Sequence, residues 1–211
     1  MDSDSEAGGS PLQLPADTMA ALKDFLVEQQ ALQQDYLALT EKQSEARIID
    51  VKEFRRLFGE DWGKSQFWYS EAFAYQLASA LHPLCLPSTR IAFLCCPTTF
   101  VAFQSTPEKI HSGAHAHLLE YDERFKTFAG GQYSFYNLHK PLDGLPEDLL
   151  GQVDVAVVDP PYLTRQTNEL VVQTLKALMR PPGNDGGKLV LLTSESVEHI
   201  LDGVYSDFGP L

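Results

Sequence analysis

The sequence predicts an open α/β fold: a parallel sheet of about five strands behind an N-terminal helical extension. Three observations carry that expectation. Short apolar runs recur at residues 90–95, 153–158 and 188–193, and Val153-Asp154-Val155-Ala156-Val157-Val158 is of the kind buried on both faces of a parallel sheet. Segments of helical spacing alternate with these runs, which is the rhythm of strand–helix–strand units. The composition is that of a folded chain, with 211 residues, 44% hydrophobic and 21% charged.

Residues 1–17 are polar and acidic, with Gly8-Gly9-Ser10-Pro11 and Pro15, and read as a disordered leader. From Thr18 onward, Ala21, Leu22, Phe25, Leu26, Gln29, Leu32, Tyr36 and Leu39 fall close to helical spacing. No Gly or Pro stands between Ala16 and Phe58, and Asp17 or Thr18 supplies a cap. Residues 41–56 are charged and weakly periodic, a helical or mobile linker that Gly59 ends. The extension and linker therefore occupy 18–61, and the main domain 62–211.

Gln66-Phe67-Trp68-Tyr69-Ser70 leads into a helix over 71–81 that stops before Pro83. Residues 90–95 form the first strand, and 98–110 a helix whose end Pro107 weakens. Strands follow at 117–121, 134–136 and 153–158. A helix over 167–179 runs into the turn Pro181-Pro182-Gly183-Asn184-Asp185-Gly186-Gly187. Residues 188–193 are the fifth strand, and 195–201 start a last helix.

The charge balance narrows the function. There are 16 Lys and Arg against 29 Asp and Glu, a net charge of −13. Residues 1–61 hold 13 acids and 6 bases (−7), and residues 62–211 hold 16 and 10 (−6), so the acidity is not confined to a tail. Such a chain repels phosphate backbones at long range, which argues against gripping free duplex DNA by charge. No apolar run approaches the ~20 residues that span a bilayer. The N-terminus lacks a secretory signature. The cysteines are Cys85, Cys95 and Cys96, an odd count with two adjacent in an apolar segment. They read as buried thiols in a reducing compartment, and a cytoplasmic location is expected.

In open parallel sheets, ligands sit beyond the carboxyl ends of the strands. One tetrapeptide stands there: Asp159-Pro160-Pro161-Tyr162, directly after the run 153–158. Two prolines fix φ and donate no N–H, which stiffens the loop. The Asp carboxylate and a Pro carbonyl can accept the hydrogens of an amino group, and the Tyr ring packs against whatever carries it. That orients the nitrogen lone pair, which is catalysis by positioning. If the amine is a lysine, the ring and the carboxylate also attract the ammonium. The alternative is a rigid turn in which Asp159 caps the next helix.

The tetrapeptide resembles the Asp-Pro-Pro-Tyr motif of amino-group methyltransferases that use S-adenosylmethionine. Three further blocks narrow the resemblance: Ala20-Ala21-Leu22-Lys23-Asp24-Phe25 with Glu28-Gln29, Ser65-Gln66-Phe67-Trp68-Tyr69-Ser70, and Glu120-Tyr121-Asp122-Glu123-Arg124-Phe125. In this order they resemble the eukaryotic lysine methyltransferases that modify translation elongation factor 1-alpha, a family first described as N6-adenine DNA methyltransferases. The similarity runs from about Ala20 to Thr193, and the Gln-Phe-Trp-Tyr-Ser block is its most specific piece.

The resemblance implies a Rossmann-like class I methyltransferase domain over residues 62–211, with S-adenosylmethionine as cofactor. Its implied partner is a basic protein substrate, elongation factor 1-alpha, with neither membrane nor nucleic acid and with a monomeric chain. By the same carry-over, Phe67, Trp68, Tyr69 and Ser70 would line the cofactor and substrate pocket. Cys96-Pro97-Thr98 would pass the methionine part of the cofactor, and Glu120 or Asp122 would accept from its ribose hydroxyls. Tyr136 and Asn137 would lie near the adenine. Asp159, Pro160, Pro161 and Tyr162 would hold the amine, with Asp159 beside the cofactor as well. The turn after the first strand lacks the glycines that many methyltransferases carry there.

Other signals compete. His111, His115 and His117 suggest a metal site, but no Cys pair or His-Glu signature joins them, and loop histidines are the simpler account. Arg124 and Phe125 pack over the cofactor edge or merely start a helix. Trp62, Phe67, Trp68 and Tyr69 read equally as core packing around the N-terminal helix. Two other functions share the motif: an N6-adenine nucleic-acid methyltransferase stacking a flipped base on Tyr162, and an inactive, truncated methyltransferase-fold binding module. The resembled fold carries a strand hairpin after its fifth strand. Only residues 194–211 follow here, so that hairpin is expected to be missing. Residues 188–193 would then form an exposed apolar edge, less soluble than in a chain extended by the hairpin.

Overall fold

The structure is a computed structural model and describes residues 15–40, 47–107, 114–181, 186–201 and 203–209. Its sheet has five strands: β1 (Arg90–Leu94), β2 (His115–Glu120), β3 (Tyr133–Phe135), β4 (Val155–Val158) and β5 (Lys188–Leu191). All neighbours pair parallel, in the order β3-β2-β1-β4-β5. The chain leaves β1 toward β2 and β3, then returns to place β4 on the other side of β1. The strand order therefore reverses between β1 and β4, and the crevice outside their carboxyl ends is where such sheets bind ligands.

The two-residue period of the strands divides the core. Ile91 and Phe93 of β1, with Val155 and Val157 of β4, face one layer. Ala92 and Leu94, with Ala156 and Val158, face the other. The first layer is closed by α2 (Val51–Leu57), α3 (Glu71–Leu81) and α4 (Pro97–Ser105). The second is closed by α5 (Arg165–Leu178), with Leu201 and Tyr205 beyond it. Burial on both faces explains why β1 and β4 read as continuous apolar runs rather than alternating ones.

Most boundaries shift by a residue or two, but the helix predicted over 98–110 ends at Ser105, where Thr106 turns extended. The N-terminal helix α1 spans Ala16–Thr40, two residues longer at its start than the spacing predicts. The predicted leader lies outside the described residues up to residue 14. The fourth strand begins at Val155 rather than Val153 because Asp154 turns aside. Its carboxylate accepts from the Arg90 backbone N–H at 2.8 Å and pairs with Arg180 at 2.8 Å.

The stretch read as a helical or mobile linker is helical over Val51–Leu57. Residues 41–46 lie outside the described residues, but 47–58 belong to the core. Asp50 caps α2 by accepting from the Glu53 N–H at 2.7 Å. Ile49, Val51, Phe54, Leu57 and Phe58 are buried. The spacing of Val51, Phe54 and Phe58 is that of one helix face. The charges at Lys52, Glu53, Arg55 and Arg56 hid that stripe from a reading of average polarity. On α1, Leu32 and Tyr36 rest on this core, and Asp35 pairs with Arg56 at 2.7 Å.

Among the described residues, no helix is long and apolar enough to cross a membrane, and no three His, Cys, Asp or Glu side chains gather to hold a metal. His111 lies outside the described residues. His115 is exposed, and His117 shares a 2.9 Å hydrogen bond with Ser134 while burial lowers its pKa. Among the described residues no disulfide joins the three cysteines.

Candidate active site

Asp159 sits at the tip of β4, its N–H continuing the ladder to Leu94 O of β1 at 3.1 Å. The motif then bridges to α5, whose cap is Thr164, accepting from the Thr167 N–H at 3.1 Å. The helix start is thus satisfied without Asp159, and that carboxylate is left for other work. Its Oδ2 accepts from the Tyr69 hydroxyl at 2.5 Å. Burial pushes the Asp159 carboxyl up to about 6, and the Tyr69 bond opposes the shift. The same burial, with the Asp159 charge, pushes the Tyr69 phenol well up, so it stays a donor.

The segment that delivers Tyr69 is extended and anchored on alternate residues. Trp68 points to the core: its Nε1–H donates to Phe58 O at 2.6 Å, and its ring meets Phe54 at 5.0 Å and Phe125 at 5.9 Å. Phe67 and Tyr69 flank it on the cavity side. Upstream, Asp61 caps the turn Trp62–Lys64 and Ser65 adopts a left-handed φ of 55°. Ser65 Oγ then donates to Pro161 O at 2.7 Å. Two hydrogen bonds, from Ser65 and Tyr69, therefore tie this segment to the Asp-Pro-Pro-Tyr loop.

The end of β2 supplies the second carboxylate. Glu120 is buried, and its Oε1 accepts from the N–H groups of Tyr121 at 2.9 Å and Asp122 at 3.3 Å. Burial outweighs those bonds and lifts its carboxyl to about 7. Asp122 does something else. It caps the turn Glu123–Phe125, pairs with Arg124 at 2.6 Å, and accepts from Gln66 Nε2 at 3.2 Å. Burial alone would raise its pKa, but the Arg124 and Gln66 bonds outweigh that and hold it low. A carboxylate only accepts, so Gln66 must present its Nε2 to Asp122. Gln66 Oε1 is left buried with no partner among the described residues.

At the end of β1, Cys95 takes a left-handed φ of 58°, the backbone that usually calls for glycine. The chain turns there without one. Cys96 Sγ donates to Val157 O at 3.3 Å, and burial raises both thiols. Tyr136, after β3, is buried and bonded to Thr174 Oγ1 at 2.8 Å. Asn137 beside it accepts from the His139 N–H at 3.0 Å.

These ends surround one cavity of about 690 Å³. Phe67, Trp68, Tyr69, Cys96, Pro97, Glu120, Tyr136, Asn137 and the whole of Asp159, Pro160, Pro161 and Tyr162 line it. Ser70 and Asp122 do not: Ser70 caps α3 by accepting from the Phe73 N–H at 3.3 Å, and Asp122 holds Arg124 and Gln66. The sequence reading omitted Ser65, Gln66, Phe73, Cys95 and the β5 end at Leu192, Thr193 and Ser194 from the site, and all of these line it. The carboxyl-end rule alone pointed to the last three.

A family model described as probable N6-adenine methyltransferase matches residues 60–209. The chain belongs to that methyltransferase family. Its matched span takes in the Gln66–Ser70 segment, the β2 end and the Asp-Pro-Pro-Tyr loop together. Relatives in the family carry lysine rather than adenine in their names. Protein-lysine N-methyltransferase EFM5 of Saccharomyces cerevisiae is 34% identical, covering 92% of this chain and 82% of the yeast protein. EEF1A lysine methyltransferase 1 of Homo sapiens is 32% identical, covering 93% of this chain and 81% of the human protein. The protein of the same name from Gallus gallus is 32% identical over 88% of this chain and 78% of its own length.

Proposed function

We propose that the protein transfers a methyl group from S-adenosylmethionine to the side-chain amine of a lysine in elongation factor 1-alpha. The observation that carries the reading is the Asp159 carboxylate. It is freed from helix capping, half-buried at the sheet's switch point, and fixed on one oxygen by Tyr69. The yeast relative's name supports a protein lysine, and the human and chicken relatives' name supports elongation factor 1-alpha as its bearer.

The donor set suits the cofactor. A cavity of about 690 Å³ is of the size that takes a nucleoside-sized ligand. Glu120 offers a carboxylate to ribose hydroxyls at the second strand's end, as acidic residues do in dinucleotide sites. The unpartnered Gln66 Oε1 suits a donor such as the ammonium of the methionine part. Tyr136 and Asn137 serve the adenine. When bound, S-adenosylmethionine supplies an electrophilic methyl carbon on a sulfonium.

The chain's own residues do the rest. Asp159 Oδ1 and the Pro160 carbonyl accept hydrogens from the incoming amine, while Tyr69 holds Oδ2 and stops the carboxylate from rotating. The prolines keep that carbonyl in place. Transfer into a cavity walled by Tyr69, Phe73 and Tyr162 strips water from the lysine ammonium, and this favours loss of its proton. The freed lone pair is then already oriented.

Calorimetric titration with S-adenosylmethionine, followed by labelling of a eukaryotic lysate with the methyl-labelled cofactor, tests the reading. One saturable binding event and label in protein are expected. No binding by folded protein contradicts the enzyme reading, and label confined to nucleic acid contradicts the lysine reading.

A further inference from the structure

The mouth of the cavity beside Asp159 is framed by aromatic rings that face water. Phe67, Phe73 and Tyr162 line the cavity yet remain 56%, 43% and 47% exposed, so they form its rim. Trp62 is 77% exposed and lies against Phe67 at 5.8 Å between ring centroids. Phe73 packs against Tyr69 at 4.9 Å, and Tyr69 reaches Asp159. Two aromatic pairs thus stand at the mouth, Trp62 with Phe67 and Phe73 with Tyr69, and the second reaches the carboxylate. Neighbouring exposed aromatics rimmed by polar groups mark an interaction site.

The charges around this rim choose between partners. Glu60 and Glu71 are exposed and flank the Trp62–Ser70 segment in sequence, Glu60 accepting from the Trp68 N–H at 3.0 Å through Oε1, while Lys64 is paired with Asp61 at 2.7 Å. A nucleic acid stacking its bases on Trp62 and Phe67 would bring phosphates against these carboxylates. A lysine-bearing protein segment brings cations and aliphatic stems, which suit carboxylates and aromatic faces together. Trp62 does not contribute to the cavity lining, so it is not needed to enclose the cofactor.

We infer that Trp62 and Phe67 form a docking surface for the polypeptide segment flanking the target lysine, with basic side chains of that segment seated against Glu60 and Glu71. The inference rests on the lysine reading above. Trp62 supplies affinity for the protein substrate and takes no part in binding the cofactor or in the transfer step. It owes its exposure to that role: its partner is the substrate.

The test compares wild type with Trp62→Ala and with Glu71→Lys, using purified elongation factor 1-alpha and an adenine-containing single-stranded oligonucleotide as methyl acceptors. Trp62→Ala is expected to raise KM for the protein about ten-fold, the scale of an interface tryptophan. Its kcat and its calorimetric affinity for S-adenosylmethionine should stay within about two-fold of wild type. The Glu71 charge reversal should raise the same KM, and more so at low salt. An unchanged KM in both variants overturns the docking surface while leaving the lysine reading intact. Methylation of the oligonucleotide but not the protein by wild type overturns both.

Discussion

The Tyr69 hydroxyl donates to Asp159 Oδ2 at 2.5 Å, across 90 positions of sequence. This bond joins the Gln-Phe-Trp-Tyr-Ser block to the Asp-Pro-Pro-Tyr loop as one device. It favours the ionised carboxylate, against the burial that raises its pKa. Tyr69→Phe removes that help, so Asp159 should titrate higher. The acid limb of the kcat/KM–pH profile is expected to move alkaline by about one unit, the worth of a hydrogen bond to a charged group. An unshifted limb, read by methyl transfer across pH 5 to 9, would show that the bond does not act on the reacting group.

Burial lifts Glu120 to about 7 and Asp159 to about 6, above unfolded carboxylates at ~4. Between those values the native state holds protons that the unfolded chain has released. The stabilisation is full below the unfolded values and is lost as pH rises through the folded ones. The cofactor-free protein should therefore melt several degrees higher at pH 5.5 than at pH 8. Glu120→Gln should flatten much of that slope and weaken the cofactor. Thermal melts at both pH values decide it, and a melting temperature equal at the two contradicts the assignment.

Asp122 is a support rather than a cofactor ligand in this account. Asp122→Ala leaves the half-exposed Arg124 and the buried Gln66 amide without their acceptor, at a cost of about 2 kcal/mol. Ser70→Ala removes a helix cap and should cost about 1 kcal/mol. Denaturant unfolding measures both. The Ser70 variant should bind S-adenosylmethionine as wild type does.

Phe54 tests whether residues 47–58 are core. It is fully buried and meets the rings of Phe58, Trp68, Phe125 and Phe128 between 5.0 and 5.7 Å. Phe54→Ala should cost about 3–5 kcal/mol. Because Trp68 anchors the strand that carries Tyr69, catalysis should fall with stability. A loss below about 1 kcal/mol by denaturant unfolding would return this stretch to the status of a linker.

Much of the fold was legible because its signals are local. The run ending at Val158 and the prolines after it announce a strand tip, and both strand faces are buried as that run implies. The helix at residues 51–57 was legible as an alternative, but its burial was not, because four charges sit between its apolar positions. The turn at Cys95 misled: a left-handed residue without glycine leaves no mark in composition. Asp159 was legible from its own neighbours, and so was its placement at a strand tip. Its partner was not, since nothing near Tyr69 says which carboxylate 90 positions away it will meet. The same holds for Gln66 with Asp122 and Ser65 with Pro161, which only the packed sheet brings together.

The measurement closest to the central claim is site-resolved mass spectrometry. Purified elongation factor 1-alpha is incubated with S-adenosylmethionine and either wild type or a folded Asp159→Ala variant. The account predicts methyl groups on a lysine side chain with wild type and their loss with the variant. Equal methylation by the two proteins would contradict it.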